Sequence, residues 1–410
     1  MRALYTVMLR LALPFLVLRL WWRGRREPGY REFVAERFGV YGTDRPERLV
    51  WLHAVSVGEA RAAEPLVRAL SSALPDHKML ITCTTAAGRE TIKQVYGESA
   101  LNVFLPYDFP ETAQAFLEYF RPRLGIVMET EVWPNLLAQC ARHGVSVMLA
   151  NARLSENSAR GYRRWRALAE PAFGSLAAVC AQSAADAERL RGIGARSVEV
   201  TGNLKFDVTP DAAQVAAGAA WRKALGRPVI LLASTREGEE AMLLASRPAS
   251  LANAGVLIVV VPRHPRRFDE VAALADSRRS LQPMPGAADR VHVGDSMGEM
   301  AFYYGACDVA IIGGSFAPLG GQNLIEALAV GAPVIVGPHM YNFAEATELA
   351  LEAGAAIQVA EAASALRSAL DLLAHEEKRR RMGESGRSLC NLHRGATARH
   401  LAACRRLLKV

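Results

Sequence analysis

From about residue 48 the chain repeats one pattern, in which a short apolar run leads into a polar loop and then a helical stretch. The apolar runs Leu49–His53, Met79–Thr82, Leu124–Met128, Val145–Ala150 and Ala177–Ala181 are separated by helical segments such as Ala60–Leu74, Ala113–Tyr119 and Ala184–Arg191. Alternation of this kind predicts parallel strands joined by crossover helices, an α/β class with doubly wound sheets. Residues 205–228, KFDVTPDAAQVAAGAAWRKALGRP, interrupt the rhythm with charge, Pro and Gly and are read as a domain boundary. The rhythm restarts at Val229–Ala233, Val256–Val261, Val309–Ile312 and Pro333–Val336. Two successive Rossmann-like domains are therefore expected, with the active site in a central cleft between them. A length of 410 residues accommodates them, and a hydrophobic fraction of 51% supplies both cores.

The first residues do not belong to that pattern. Ala3 to Trp22 reads ALYTVMLRLALPFLVLRLWW, about the length of a membrane helix, yet it contains Arg10, Pro14 and Arg19. Arg23, Arg25 and Arg26 follow at once, and no small-residue cleavage motif is present. The segment either spans a bilayer or lies in its interface with the arginines reaching the headgroups. A buried N-terminal helix is the structural alternative. Trp21-Trp22 beside the arginines favours the anchor. The chain as a whole is basic, with 49 Lys+Arg against 41 Asp+Glu, which suits an anionic partner. The basic residues carry no interleaved aromatics or recognised motif, so nucleic acid is not the expected partner. The 6 cysteines form no C-x-x-C pair and the 9 histidines are dispersed, so reduced thiols and no metal site are expected.

Polar clusters sit just after the expected strands. In WLHAVSVGEARAAEPL, Ser56 and Glu59 have the spacing of a helix capping box, and the same loop ends a strand where ligands of open α/β sheets bind. Glu59 is thus a cap or a proton acceptor, and the local sequence leaves both open. Glu129 and Glu131 flank one residue at a strand end, so an extended segment would point them the same way. A solvated or Arg-bound pair is the structural reading of those two carboxylates. Gly202-Asn203-Leu204-Lys205 lies at the boundary. The second half offers Ser234 to Glu240, Pro262-Arg263-His264-Pro265, Met297-Gly298-Glu299, Gly313-Gly314-Ser315, and Gly320 to Glu326. Glycines before a helix let backbone N–H groups reach an anion, although Gly-Gly-Ser is also an ordinary tight turn. Arg263 in a proline-stiffened loop reads as a surface ion pair or a phosphate contact. Glu326 either favours a helix dipole or accepts from ribose hydroxyls. Anion-handling loops thus fall in the second domain and isolated carboxylates in the first. That division fits a donor nucleotide held by one domain and a hydroxyl acceptor activated by the other.

The stretches LWWRGRREPGYREFVAERFG, HAVSVGEA, FLPYDFP, METEVWPNLL, NARLSENSARGY, GNLKFD, STREGEE, PRHPRRF, MGEM and GGSF…GGQNLIEALAVGAPVIVGP resemble, in order, those of the lipid A Kdo transferases. These enzymes move 3-deoxy-D-manno-oct-2-ulosonic acid (Kdo) from CMP-Kdo to the lipid A precursor, lipid IVA. The resemblance implies the GT-B fold, an inverting reaction without a metal or cofactor, and a place on the cytoplasmic face of the inner membrane. It puts the general base on Glu59 and charge-stabilising roles on Glu129 and Lys205. It puts CMP contacts on Pro262, Arg263, Met297, Gly298, Glu299, Asn323, Leu324, Ile325 and Glu326, with Glu131, Ser234, Gly314 and Ser315 as possible support. The family usually has His at the positions of Arg236 and Gln322 and Pro at that of Leu324. The implied layout is an anchor over 1–26, an acceptor domain over 27–206, a donor domain over 207–385, and a C-terminal helix over 386–410. An acceptor that is a phosphorylated lipid would account for the basic balance and the anchor together. Arg19, Arg23, Arg25, Arg26, Arg31 and Arg37 would each add about 1 kcal/mol of attraction to an anionic leaflet. Two other functions are compatible with the fold: a different GT-B nucleotide-sugar transferase or epimerase, and a catalytically silent membrane-bound scaffold. A CMP preference separates the first, and turnover the second.

Overall fold

The computed structural model describes every residue except Arg26 and Asp44, and every described side chain except those of Ala252 and Asn253. Among these residues the strands form two sheets of seven, each wholly parallel. The first holds β1 (Leu49–His53), β2 (Lys78–Cys83), β3 (Ala100–Phe104), β4 (Leu124–Met128), β5 (Ser146–Ala152), β6 (Ala178–Ala181) and β7 (Val198–Val200), in the order β3-β2-β1-β4-β5-β6-β7. The second holds β8 (Val229–Thr235), β9 (Leu257–Pro262), β10 (Ser277–Arg278), β11 (Val291–Val293), β12 (Val309–Ile312), β13 (Val334–Val336) and β14 (Ala356–Gln358), in the order β10-β11-β9-β8-β12-β13-β14. Each sheet therefore reverses direction beside its own first strand, between β1 and β4 and between β8 and β12. Ligands of doubly wound sheets bind beyond the strand ends at such a switch point.

The apolar runs are strands because both faces of each sheet are covered. Every residue of β1 and β4 is buried. Trp51 fills the space above β4, its indole N–H donating to Thr82 Oγ1 at 2.8 Å. A Cβ on Gly125 would lie 2.9 Å from the Trp51 ring, so only glycine leaves room for that ring. The half-covered edge strand β3 and the short strands β7, β10, β11 and β14 lie toward the sheet edges and carry no apolar run long enough to be read from sequence.

The chain forms two compact units, one of residues Met1–Asp207 with Gly395–Val410 and the other of Val208–Arg394. The division falls within the run at 205–228, where Ala212–Leu225 is a helix whose first N–H groups bond Asp211 and which ends at left-handed Gly226. Two expectations change. The C-terminal segment 386–410 is not one helix. Glu376–His393 ends within the second unit, and Ala396–Leu408, after Gly395 with φ 78°, packs on the first. The helix expected over 60–74 is two, Val57–Ala62 and Glu64–Ala73, with Pro65 in the first turn of the second, where its missing N–H is harmless.

Arg2–Arg23 is a single helix, and only 6% of its most apolar window is buried. One edge is tied down. Thr6 is buried and hydrogen-bonds Asn135, whose amide donates to Thr6 Oγ1 at 3.0 Å. Leu11, Phe15, Leu18 and Trp22 are exposed. Of the arginines expected to face a lipid surface, Arg37 is buried, its guanidinium 3.9 Å from the centre of the Phe104 ring, so it is part of the core. Arg25 and Arg31 lie over Trp21, Arg23 lies over Tyr30, and Arg26 is outside the described residues.

Candidate active site

The cap reading of Glu59 holds, with a variation in its geometry. Ser56 adopts the extended conformation of a cap residue, and its hydroxyl accepts the Glu59 N–H at 3.3 Å. The Glu59 carboxylate turns back, accepting the N–H of Val55 at 2.9 Å and the Ser56 hydroxyl at 3.2 Å. A capping box would direct that carboxylate to the cap residue's own N–H, and here it reaches one residue further. Burial pushes the Glu59 carboxyl up to about 8, and the charges of Glu129 and Glu131 push the same way against the Val55 and Ser56 hydrogen bonds. A carboxylate with so high an affinity for protons, at a switch point, is placed to take one from a hydroxyl.

Glu129 follows β4, on the other side of that switch point. Its φ of 55° is left-handed, so the segment is a turn and not the extended stretch expected for Glu129 and Glu131. The Glu129 N–H bonds the Ala150 carbonyl, and its carboxylate lies 3.1 Å from the Lys205 ammonium. Burial raises the Glu131 carboxyl, helped by Glu129. Lys205 stands on the short helical turn Leu204–Phe206, inside the first unit. Asn203 caps that turn by accepting the Lys205 N–H at 2.9 Å, and its own amide donates to Gln182 Oε1 at 2.9 Å. Gln182 in turn donates to the Asn151 carbonyl at 3.0 Å, while Asn151 Oδ1 accepts the Leu204 N–H at 2.9 Å. Glu59, Glu129, Glu131 and Lys205 are thus gathered at one end of one sheet. Asn151 and Gln182, which hold the turn that carries Lys205, were not singled out from sequence. Their signal is a lone amide side chain at the end of an apolar strand.

In the second unit Ser234 bulges out of β8 with φ 55°, and Gly314 follows β12 with φ 69°. The Gly-Gly-Ser loop does bind an anion, but the anion is internal. Glu239 is fully buried and accepts the N–H groups of Arg236 at 2.9 Å, Gly314 at 2.5 Å, and Phe316 at 3.0 Å. Ser315 is also internal. Its hydroxyl donates to the Ile312 carbonyl and accepts the Gly337 N–H at 2.8 Å, so it supports the loop and offers no side chain to a ligand. Arg263, after buried Pro262 at the end of β9, is exposed, as is Met297. Gly298 has φ 77°, and Glu299 lies 3.6 Å from Arg279. Leu324 and Ile325 are buried, so only their backbone can meet a ligand. Burial raises the Glu326 carboxyl, against its hydrogen bond from Asn323 at 3.0 Å and the charge of Arg263. Glu239, part of a polar run in the sequence, is the residue that ties the ends of β8 and β12 together.

Comparison with known proteins bears on both units. Residues 32–208 match the family of 3-deoxy-D-manno-octulosonic-acid transferases (kdotransferase), and residues 286–389 match glycosyl transferases group 1. The chain is 48% identical to the 3-deoxy-D-manno-octulosonic acid transferase of Bordetella pertussis, covering 98% of each chain. It is 35% identical to that of Haemophilus influenzae, over 98% of this chain and 97% of the relative. Among solved structures, the C-terminal CMP-Kdo binding domain of WaaA from Acinetobacter baumannii aligns with 28% identity and a TM-score of 0.42, covering 44% of this chain and 98% of that one.

Proposed function

The chain belongs to the 3-deoxy-D-manno-octulosonic acid transferase family, glycosyltransferases of lipopolysaccharide synthesis with the GT-B fold, and from that premise we propose how it works. The donor is CMP-Kdo and the acceptor is the lipid A precursor lipid IVA. A hydroxyl of the acceptor attacks the anomeric carbon of Kdo. The new C–O bond forms as the bond to the CMP phosphate oxygen breaks, CMP leaves with the electron pair, and the hydroxyl proton passes to Glu59. Direct displacement inverts the anomeric centre. The observation that carries this reading is the Glu59 carboxyl, held by one N–H and one hydroxyl beside Glu129 and Glu131 and raised to about 8. A base is most effective when its pKa lies near the working pH.

Lys205, paired with Glu129, supplies fixed positive charge on the acceptor side. In the second unit Arg263 is the exposed cation set to meet the nucleotide phosphate, with Glu326 and Asn323 available to ribose hydroxyls. No cofactor or metal enters this scheme, since the cations that balance the leaving phosphate are side chains. The helix Arg2–Arg23 anchors the protein to the cytoplasmic face of the inner membrane, where the acceptor resides. Its exposed Leu11, Phe15 and Leu18 suit that place.

Mass spectrometry of the product from purified protein, CMP-Kdo and lipid IVA tests the reaction. A mass increase of one or more Kdo residues, with the anomeric configuration inverted, is the expected result. Activity with a UDP-sugar instead would overturn the donor. Deleting residues 1–22 is expected to leave a folded protein that binds CMP but works poorly on membrane-embedded acceptor. Loss of folding would make the helix part of the core.

A further inference from the structure

The last helix of the chain, Ala396–Leu408, returns to the first unit behind the Lys205 turn. Its N-terminus is capped by Asp207, whose two carboxylate oxygens accept the N–H groups of Gly395 and Thr397, each at 2.7 Å. Asp207 stands two residues after Lys205, so the turn that carries the ammonium is bonded directly to the start of the last helix. One turn further along, His400 is completely buried. Its Nδ1 lies 2.7 Å from the Ala396 carbonyl, which can only accept, so Nδ1 carries the proton. Its Nε2 lies 3.0 Å from the Asn151 backbone N–H, which can only donate, so Nε2 is a bare acceptor. The neutral imidazole with the proton on Nδ1 is the one form that satisfies both neighbours.

Asn151 needs this support. It is buried at the end of β5 with φ 52°, at the point where the pairing with β6 slips. A left-handed residue there persists only when its surroundings over-determine it. His400 holds its N–H, Gln182 holds its carbonyl, and its side-chain oxygen holds Leu204. The carbonyl of the preceding residue, Ala150, holds the Glu129 N–H. The Asn151 corner therefore carries one bond toward each member of the Glu129–Lys205 pair.

We propose that His400 is a positioning residue for transfer, which from the last helix of the chain fixes the Asn151 corner and so sets the Lys205 ammonium against Glu129. The inference rests on the proposed use of Glu129 and Lys205 in the reaction. It makes the acceptor-side site dependent on the final residues of the chain, which must return before the site is complete.

The test compares full-length His400→Ala, His400→Gln, Lys205→Ala and the His400→Ala, Lys205→Ala double variant. Measured are kcat, the KM for CMP-Kdo, the pH profile of kcat/KM and the melting temperature. His400→Ala is expected to lower kcat roughly ten- to a hundredfold, the range that misplacement of a catalytic group produces, with KM for the donor little changed. Its acid limb should move to higher pH, because a less well neutralised Glu129 makes Glu59 harder to ionise. The Gln side-chain oxygen can accept the Asn151 N–H, so His400→Gln should recover part of the rate. In the Lys205→Ala background the His400 substitution should add little. Equal losses in both backgrounds, or an unchanged kcat in His400→Ala, would overturn the positioning role. If His400→Ala does not fold, full activity in a folded His400→Leu, which cannot accept the N–H, overturns it instead. A Lys205→Ala protein with normal kcat would sink the role of Lys205 itself, a separate and distinguishable result.

Discussion

Two glutamates occupy matching places in the two sheets and have opposite fates. Glu59 follows β1 and Glu239 follows β8, each the first strand of its sheet and each at the switch point. Glu239 is fully buried, and its carboxylate is saturated by backbone N–H groups from its own turn and from the loop after β12. It has no capacity left for a ligand, and it pins its own turn to the loop after β12. Glu59 is half-buried, has one backbone N–H and one hydroxyl, and faces two further carboxylates. Burial alone does not make a carboxylate reactive. Burial with too few donors does, because the charged form is then the unstable one.

The strongest way to break this comparison is to exchange each charge for an amide or remove it. Glu59→Gln keeps the shape and most of the cap, but an amide cannot take the proton. Transfer is expected to fall about 10²–10⁴-fold, the range for a positioned general base, while CMP binding is unchanged. Near-normal turnover would leave Glu59 a helix cap and move the base to Glu129 or Glu131. Glu239→Ala should act on folding. It strands buried N–H groups, each worth about 1–3 kcal/mol when unpaired, so a loss of several kcal/mol in a denaturant titration is expected, with nucleotide binding lost alongside. A stable Glu239→Ala protein that binds CMP would show that the donor loops do not depend on this pin.

Arg263→Ala probes the donor side without touching the core. Because the side chain is exposed, the melting temperature should hold, while CMP affinity should fall roughly ten- to a hundredfold for one charge-assisted hydrogen bond. Unchanged affinity by calorimetry would remove Arg263 from the site. A further test concerns pH. The folded pKa of Glu59 lies above its ordinary carboxylate value, so its contribution to stability is fully present below about pH 4.5 and is lost as pH rises toward about 8. The Gln variant does not lose that stability. Its melting temperature relative to the parent should therefore increase between pH 5 and pH 8, as kcat/KM of the parent rises over the same upper range. Parallel melting curves at all pH values would mean that Glu59 is not perturbed.

Much of this was legible in the sequence. The central strands and the positions of Glu59, Glu129 and Arg263 after their ends follow from apolar periodicity, because a strand buried on both faces must be a continuous apolar run, while the break near residue 207 and Lys205 beside it were read from charge, Pro and Gly. The edge strands were not legible, since a short or half-covered strand needs no such run. Nor was the helix Ala212–Leu225, because Pro210 and Gly226, read only as a break in the rhythm, act as its borders.

What the sequence by itself determined is the local chemistry: Ser56 as a cap, glycines where the backbone turns left-handed, and an apolar, arginine-bearing first helix. These depend on neighbours within a few residues. Which anion the Gly313–Ser315 loop would meet, whether Arg37 faced lipid or core, and what holds Lys205 were decided only by the tertiary structure. Each depends on groups far apart in the chain: Glu239 on Gly314, Arg37 on Phe104, and His400 on Asn151. Desolvation and hydrogen-bond satisfaction are properties of the packed surroundings, and no spacing rule carries them along a chain.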